Sequence, residues 1–252
     1  MPGRVAQLLD QSNKKHLALL IDPEKETDML RLEQKCKLIA QSSVDFIFIG
    51  ASSLGDANSM SVSKLIKSHC PQPLIGFPGS ASQLNPFWDG ILYISLIGSK
   101  NAQYLFEEQN IGTQLIEEMD KDINIYPSAY LIVDGGRESS AAKTTNSQAI
   151  CASQVDEILL RCKTASFLGM QNVYLEAGSG ALKSIPLALI SKCSKEVNAR
   201  LIVGGGIKTV ESALNMWEAG AEVLVIGNHF EEHPEKISDY CAVKDRLNQK
   251  HA

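Results

Sequence analysis

The sequence holds 252 residues, 44% of them apolar, enough to bury a sizeable core in either one α/β barrel or two small domains. A net charge of −5 supplies no basic field to hold a nucleic acid backbone. The six cysteines are scattered without a CxxC pair, which argues against a zinc site or a disulfide framework and fits a reduced cytosol.

In chain order, the N-terminal MPGRVAQLLDQSNKKH lacks an apolar core long enough for a signal peptide, and no run could span a bilayer. A soluble, cytoplasmic protein is expected. Eight apolar strand candidates follow: 16–21, 45–49, 73–77, 90–96, 129–133, 172–176, 201–203 and 222–226. They are apolar without strict alternation, as buried parallel strands are. Between them lie helical patterns. Val155, Ile158, Leu159 and Cys162 recur at helical spacing behind a Ser153-x-x-Asp156 capping box. Val210, Ala213, Leu214 and Trp217 repeat the pattern, opened by Thr209 and closed by Gly220. Alternation of strand and helix predicts a parallel sheet, and eight strands at this length favour a closed (β/α)₈ TIM barrel. No linker divides the chain, so residues 1–252 are expected to form a single domain. The polar stretch DGGRESSAAKTTNSQAI after Val133 breaks the rhythm and reads as a mobile lid or a disordered insertion.

Chemistry belongs at the C-terminal strand ends. NVYLEAGSG, RLIVGGGI and AEVLVIGN each end an apolar run in glycine. Three such ends in series predict a phosphate cradle, because glycine lets backbone N–H groups approach an anion. The first strand ends in LLIDPEK, where Pro23 biases Asp22 toward extended geometry at the mouth. Ser52 stands just beyond the second strand. One carboxylate and one hydroxyl do not complete a protein cage, but they suit Mg²⁺ that takes its other ligands from water and phosphates. Glu176 closes a buried strand, where an unpaired charge is expensive. Three roles are open to it, in falling order: binding a substrate hydroxyl, taking its proton, or pairing with a lysine. Tyr174 reads either as a substrate contact or as an ordinary core tyrosine. His16, at the start of a strand, reads as structural, and His229 lacks a second metal ligand at suitable spacing. Lys25 and Arg137 lie on candidate mouth loops and could meet a diphosphate, though solvated charge is their commoner fate. Phe77, Trp88 and Tyr93 read as core or interface.

Together LLIDPEK, DFIFIGASS, LIGFPGSASQL, YISLIGSKN, YLEAGSG, VGGGI and VIGN resemble the geranylgeranylglyceryl phosphate synthase family, over the chain from LLIDPEK to near its end. The resemblance implies transfer of a prenyl group from a prenyl diphosphate, geranylgeranyl diphosphate for choice, to the 3-hydroxyl of sn-glycerol 1-phosphate. That reaction makes the first ether bond of archaeal-type lipids. By the same likeness Asp22 and Ser52 match the Mg²⁺ positions. Tyr174, Leu175, Glu176, Ala177, Gly178, Ser179, Gly180, Gly205, Gly206, Gly227 and Asn228 match the glycerol phosphate site. Glu176 is the catalytic candidate. A lysine that some relatives carry two residues before the aspartate is Leu20 here, which points to the subgroup without it. A homo-oligomer is implied, as is transient contact with a membrane surface for product release. The rival readings are a barrel isomerase or synthase acting on a sugar phosphate, and a barrel that binds a lipid precursor without turnover. The absence of a DDxxD pair counts against a chain-elongating prenyl synthase.

Overall fold

The structure, a computed structural model, describes residues 14–50, 58–119 and 123–250. Eight parallel strands close in sequence order: β1 His16–Ile21, β2 Phe46–Ile49, β3 Leu74–Gly76, β4 Gly90–Ser95, β5 Asn124–Ile132, β6 Asn172–Glu176, β7 Arg200–Gly204 and β8 Val223–Ile226. Closure is the pairing of β1 with β8, in register from His16 with Val223 to Leu19 with Ile226. All eight expected strands are present. β5 starts earlier than expected, at Asn124. Pro127 lies within the added residues and cannot donate to a ladder. In the barrel it serves as an acceptor instead, its carbonyl taking the Gln171 amide at 3.0 Å.

The described helices are α1 Met29–Ala40, α2 Ser59–His69, α3 Glu108–Glu118, α4 Ser140–Thr145, α5 Val155–Phe167, α6 Leu187–Glu196, α7 Val210–Ala219, α8 Asn228–Glu232 and α9 Ile237–Lys250. A single π-helical turn, Gln103–Glu107, leads into α3. Thr209 caps α7 through the Ser212 amide, and Gly220 ends it in the left-handed region at φ 118°, as its sequence predicts. The expected capping box at Ser153 is not formed. Gln154 holds the N-cap of α5 without a side-chain cap bond, while Ser153 Oγ meets Cys151 Sγ at 3.1 Å. A nearer partner outcompeted the helix end.

Successive strand side chains point to opposite faces, so each strand feeds two cores. Leu17, Leu19, Ile47, Ile49, Val173, Leu175, Leu201 and Val203 pack outward against the helices. Ala18, Phe46, Phe48, Ile75, Tyr130, Tyr174, Ile202 and Val225 fill the barrel interior. Both faces being buried is why the strands read as continuous apolar runs. His16 sits at the closed lower end, 3.5 Å from Asp45 Oδ1, and Lys244 of α9 reaches Asp45 Oδ2 at 2.8 Å. All six cysteines are free.

The segment after Val133 is neither a disordered insertion nor a plain loop. Its far end is stitched to the sheet by a Val133–Ile150 bridge, with the Asp134 amide on Ile150 O at 2.8 Å. Ser139 Oγ accepts the Ala142 amide to start α4, and Asn146 stops it at φ 48°. A six-residue helix is too short to show apolar periodicity, which is why the sequence reads as loop.

Candidate active site

At the C-terminal end of the barrel the strand ends surround a cavity of about 680 Å³, within the range of small-molecule sites. One wall is polar and glycine-rich, from the loops after β6, β7 and β8. The opposite side is apolar, formed by Leu84, Leu92, Ile94, Leu96 and Tyr104 around β4 and the π-helical turn. α4 contributes Ser140, Ala141 and Thr145, so the segment after Val133 is part of the cavity wall.

The glycine wall depends on its missing side chains. Gly178, Gly180, Gly205 and Gly206 all have positive φ, from 69° to 104°. A Cβ on Gly205 would lie 2.5 Å from Glu176 Oε1 and 2.7 Å from the Gly178 nitrogen, so the loops after β6 and β7 touch backbone to backbone. Not every amide here faces a ligand. The Ala177 amide bonds Gly204 O, the Ala181 amide bonds Gly178 O, and the Gly178 amide donates to Glu176 Oε1 at 2.6 Å. The amides of Ser179, Gly180, Gly205 and Gly206 enter no such bond among the described residues. These four are left available as donors at the cavity wall. Ser179 Oγ donates to Asn228 Oδ1 at 2.9 Å, which ties the β6 loop to the turn at Gly227.

Glu176 is buried at the floor of this wall. Burial pushes its carboxyl above the ordinary carboxylate range, against the opposing pull of the Gly178 amide and the Tyr174 phenol. No lysine among the described residues pairs with it, which counts against the ion-pair reading. One carboxylate oxygen is fixed by Gly178, and the other faces the Tyr174 phenol and the cavity. Tyr174 is interior, its ring 5.2 Å from both Phe77 and Tyr130. Burial, and then the Glu176 charge, push both phenols well above their usual pKa.

Asp22 lies at the mouth as Pro23 predicts, and lines the cavity. Its Oδ1 accepts the Glu24 amide at 3.1 Å, while Oδ2 stands 3.9 Å from Lys25 Nζ. Burial raises its pKa, and the nearby Glu231 adds to this, while the Glu24 amide and Lys25 oppose. Among the described residues there is no group of three or more His, Cys, Asp or Glu that could hold a metal. A hard oxygen donor at a cavity mouth, short of a complete ligand set, fits an ion held mostly by water and phosphate oxygens, as Mg²⁺ is. Ser52 lies outside the described residues.

The structure thus gathers Asp22, Tyr174, Glu176, Gly178, Ser179, Gly180, Gly205, Gly206, Gly227 and Asn228 around one cavity. Leu175 and Ala177 are the exceptions: strand parity sends their side chains into the helix-facing core, so they can offer backbone alone. Several cavity residues escaped the sequence reading. Tyr130 shares the interior face with Ile132, a parity readable in AYLIV once the strand is placed. Phe77 and Tyr93 line the cavity, whereas Trp88 is fully buried core, with its Nε1 3.2 Å from Ser63 Oγ. Lys25 lines the cavity, as its place on a mouth loop suggested, whereas Arg137 is not part of the lining; Lys208, His229 and Glu231 also reach the cavity, and no local signal in the sequence joins them.

Comparison with known proteins agrees with this geometry. The model of the PcrB family matches residues 9–244. A geranylgeranylglyceryl phosphate synthase of Zunongwangia profunda is 36% identical over 221 residues, 87% of this chain and 92% of that relative. One from Korarchaeum cryptofilum is 31% identical over 231 residues, 92% of this chain and 93% of that relative. In structure, (S)-3-O-geranylgeranylglyceryl phosphate synthase of Thermoplasma acidophilum, solved in complex with its substrate sn-glycerol-1-phosphate, superposes with a TM-score of 0.88 at 26% identity, covering 98% of this chain and 100% of that one.

Proposed function

The chain belongs to the PcrB family, and from that premise we propose that it joins the geranylgeranyl group of geranylgeranyl diphosphate to the 3-hydroxyl of sn-glycerol 1-phosphate. The products are 3-O-geranylgeranyl-sn-glycerol 1-phosphate and diphosphate. The observation that carries this reading is the two-sided cavity: an amide cradle with a buried carboxylate on one wall, and an apolar arm on the other. A sugar phosphate isomerase would have no use for the apolar arm. The same chemistry is in the names of the relatives, and sn-glycerol-1-phosphate is the substrate of the Thermoplasma enzyme.

The amides of Ser179, Gly180, Gly205 and Gly206 hold the glycerol phosphate anion. Glu176 accepts a hydrogen bond from the 3-hydroxyl and aims its oxygen at the allylic carbon. The new C–O bond forms as the bond to diphosphate breaks, and the hydroxyl proton leaves to Glu176 or to water. Alignment of two bound reactants supplies much of the rate. Leu84, Leu92, Ile94 and Leu96 receive the isoprenoid tail, at about 0.8 kcal/mol for each buried methylene. Asp22 would hold Mg²⁺, with Ser52 the second residue of the reading. When bound, that ion supplies charge neutralisation at the departing diphosphate.

One catalytic domain, a cytoplasmic location and a homo-oligomer belong to the same reading. Exposed Leu160, Phe167 and Leu168 on and just after α5 offer apolar surface for a second protomer to cover. No helix among the described residues is long and apolar enough to cross a membrane. The deciding experiment incubates the protein with sn-glycerol 1-phosphate, labelled geranylgeranyl diphosphate and Mg²⁺ and extracts the ether product. Binding of both substrates without product would overturn the reading in favour of a sensor. Turnover confined to ribosyl phosphates would favour the isomerase or synthase.

A further inference from the structure

The loop between β1 and α1 is anchored more firmly than a surface turn requires. Glu26 and Lys35 are both buried and paired at 2.5 Å. Asn58 Nδ2 donates to Pro23 O at 3.0 Å and to Glu26 O at 2.8 Å. Asn58 occupies the N-cap of α2 yet makes no side-chain cap bond, so its amide serves the loop instead of the helix. With Glu26 drawn inward and Pro23 tied down, Lys25 is left facing the cavity mouth. Its Nζ is 3.0 Å from Glu231 Oε2 at the other end of the chain and 3.9 Å from Asp22 Oδ2.

Two lysines line the cavity among the described residues, Lys25 and Lys208. Lys208 follows Gly205–Gly206 and so stands on the side of the amide cradle. Lys25 stands beside Asp22. A half-exposed ion pair such as Lys25–Glu231 contributes little to stability, so stability does not account for an anchored loop that presents it. A diphosphate arriving beside Asp22 and Glu231 meets two like charges. It needs a mobile cation with several donors, which a lysine ammonium on its flexible stem supplies.

We propose that Lys25 is a diphosphate-binding residue whose ion pair with Glu231 is exchanged for hydrogen bonds to the departing diphosphate, while Lys208 serves the glycerol phosphate side. This rests on the prenyl-transfer reading. Inorganic diphosphate with Mg²⁺ and, separately, sn-glycerol 1-phosphate are titrated by calorimetry into the wild type, Lys25→Met, Lys25→Arg and Glu231→Gln. Lys25→Met is expected to weaken diphosphate about 10- to 100-fold, the worth of a charge-assisted hydrogen bond, and to leave glycerol phosphate unchanged. Lys25→Arg keeps most of the affinity. Glu231→Gln binds diphosphate as tightly as wild type or tighter, because a competitor and a like charge are gone. Unchanged diphosphate binding in Lys25→Met overturns the proposal, as does equal loss of both ligands. So does Glu231→Gln weakening diphosphate as much as Lys25→Met, which would make the pair structural. Prenyl transfer by the wild type alongside any of these results leaves the underlying reading intact, whereas its absence there removes the reading itself.

Discussion

Replacing Glu176 by Gln changes one atom and tests the centre of the site. The Gly178 amide donates to Oε1 at 2.6 Å, so a glutamine must keep its carbonyl oxygen on that side. Its NH₂ then faces the cavity where the carboxylate had offered an acceptor. If Glu176 only orients the hydroxyl, the loss is one hydrogen bond to a charged group, about 1.5–3 kcal/mol or roughly 10- to 150-fold in kcat/KM. If it also takes the proton, the loss is about 10²–10⁴-fold. Burial holds the carboxyl pKa above its unfolded value, so the ionised form is disfavoured by folding and costs stability at neutral pH. The neutral variant should therefore unfold no earlier than the wild type. The assay is kcat/KM for sn-glycerol 1-phosphate across pH, with thermal unfolding in parallel. The wild type should lose activity on the acid side with an apparent pKa above that of an ordinary glutamate, and the variant should lack that limb. A folded variant with kcat/KM unchanged at neutral pH would refute the role given to Glu176.

Asp22→Ala should lower Mg²⁺-dependent turnover by several kcal/mol in barrier, two orders of magnitude or more, with glycerol phosphate binding intact by calorimetry; equal loss of both would end the division of labour. Gly205→Ala must place a Cβ 2.5 Å from Glu176 Oε1 at φ 82°, where side chains are strained. It should cost about 1–3 kcal/mol in unfolding free energy and weaken glycerol phosphate binding, so an unchanged affinity would show the cradle lies elsewhere. At the closed end of the barrel, burial works against the Asp45 charge, but His16, Lys244 and the Leu17 amide outweigh it and hold its pKa below the ordinary value. That stability is present above the unfolded carboxylate pKa and is lost as pH falls through the lower folded one. Asp45→Asn should cost about 3 kcal/mol at neutral pH and flatten the acid limb of the stability curve, which denaturant unfolding across pH would measure.

The strands, their order and the closure of the barrel could be read in the sequence because they depend on short-range patterns. Buried strands show as apolar runs, Thr209 and Gly220 mark their helix by local chemistry, and Asp22 is placed by the proline that follows it. The glycine-ended strands marked one wall of the cavity for the same reason, since a missing side chain is visible wherever it occurs. The reading failed at Ser153, where a nearer partner took the capping hydroxyl, and along the segment that became α4, too short to show a pattern. What tertiary structure alone decided is which residues meet. Lys25 and Glu231 are 206 positions apart, Gly205 fits against Glu176 by backbone contact, and the Gly178 amide turns inward to the carboxylate instead of outward to a ligand. The apolar arm draws on β4 and the turns around it, residues indistinguishable in sequence from ordinary core. Burial and facing direction come from closure of the sheet, and closure is a property of all eight strands together.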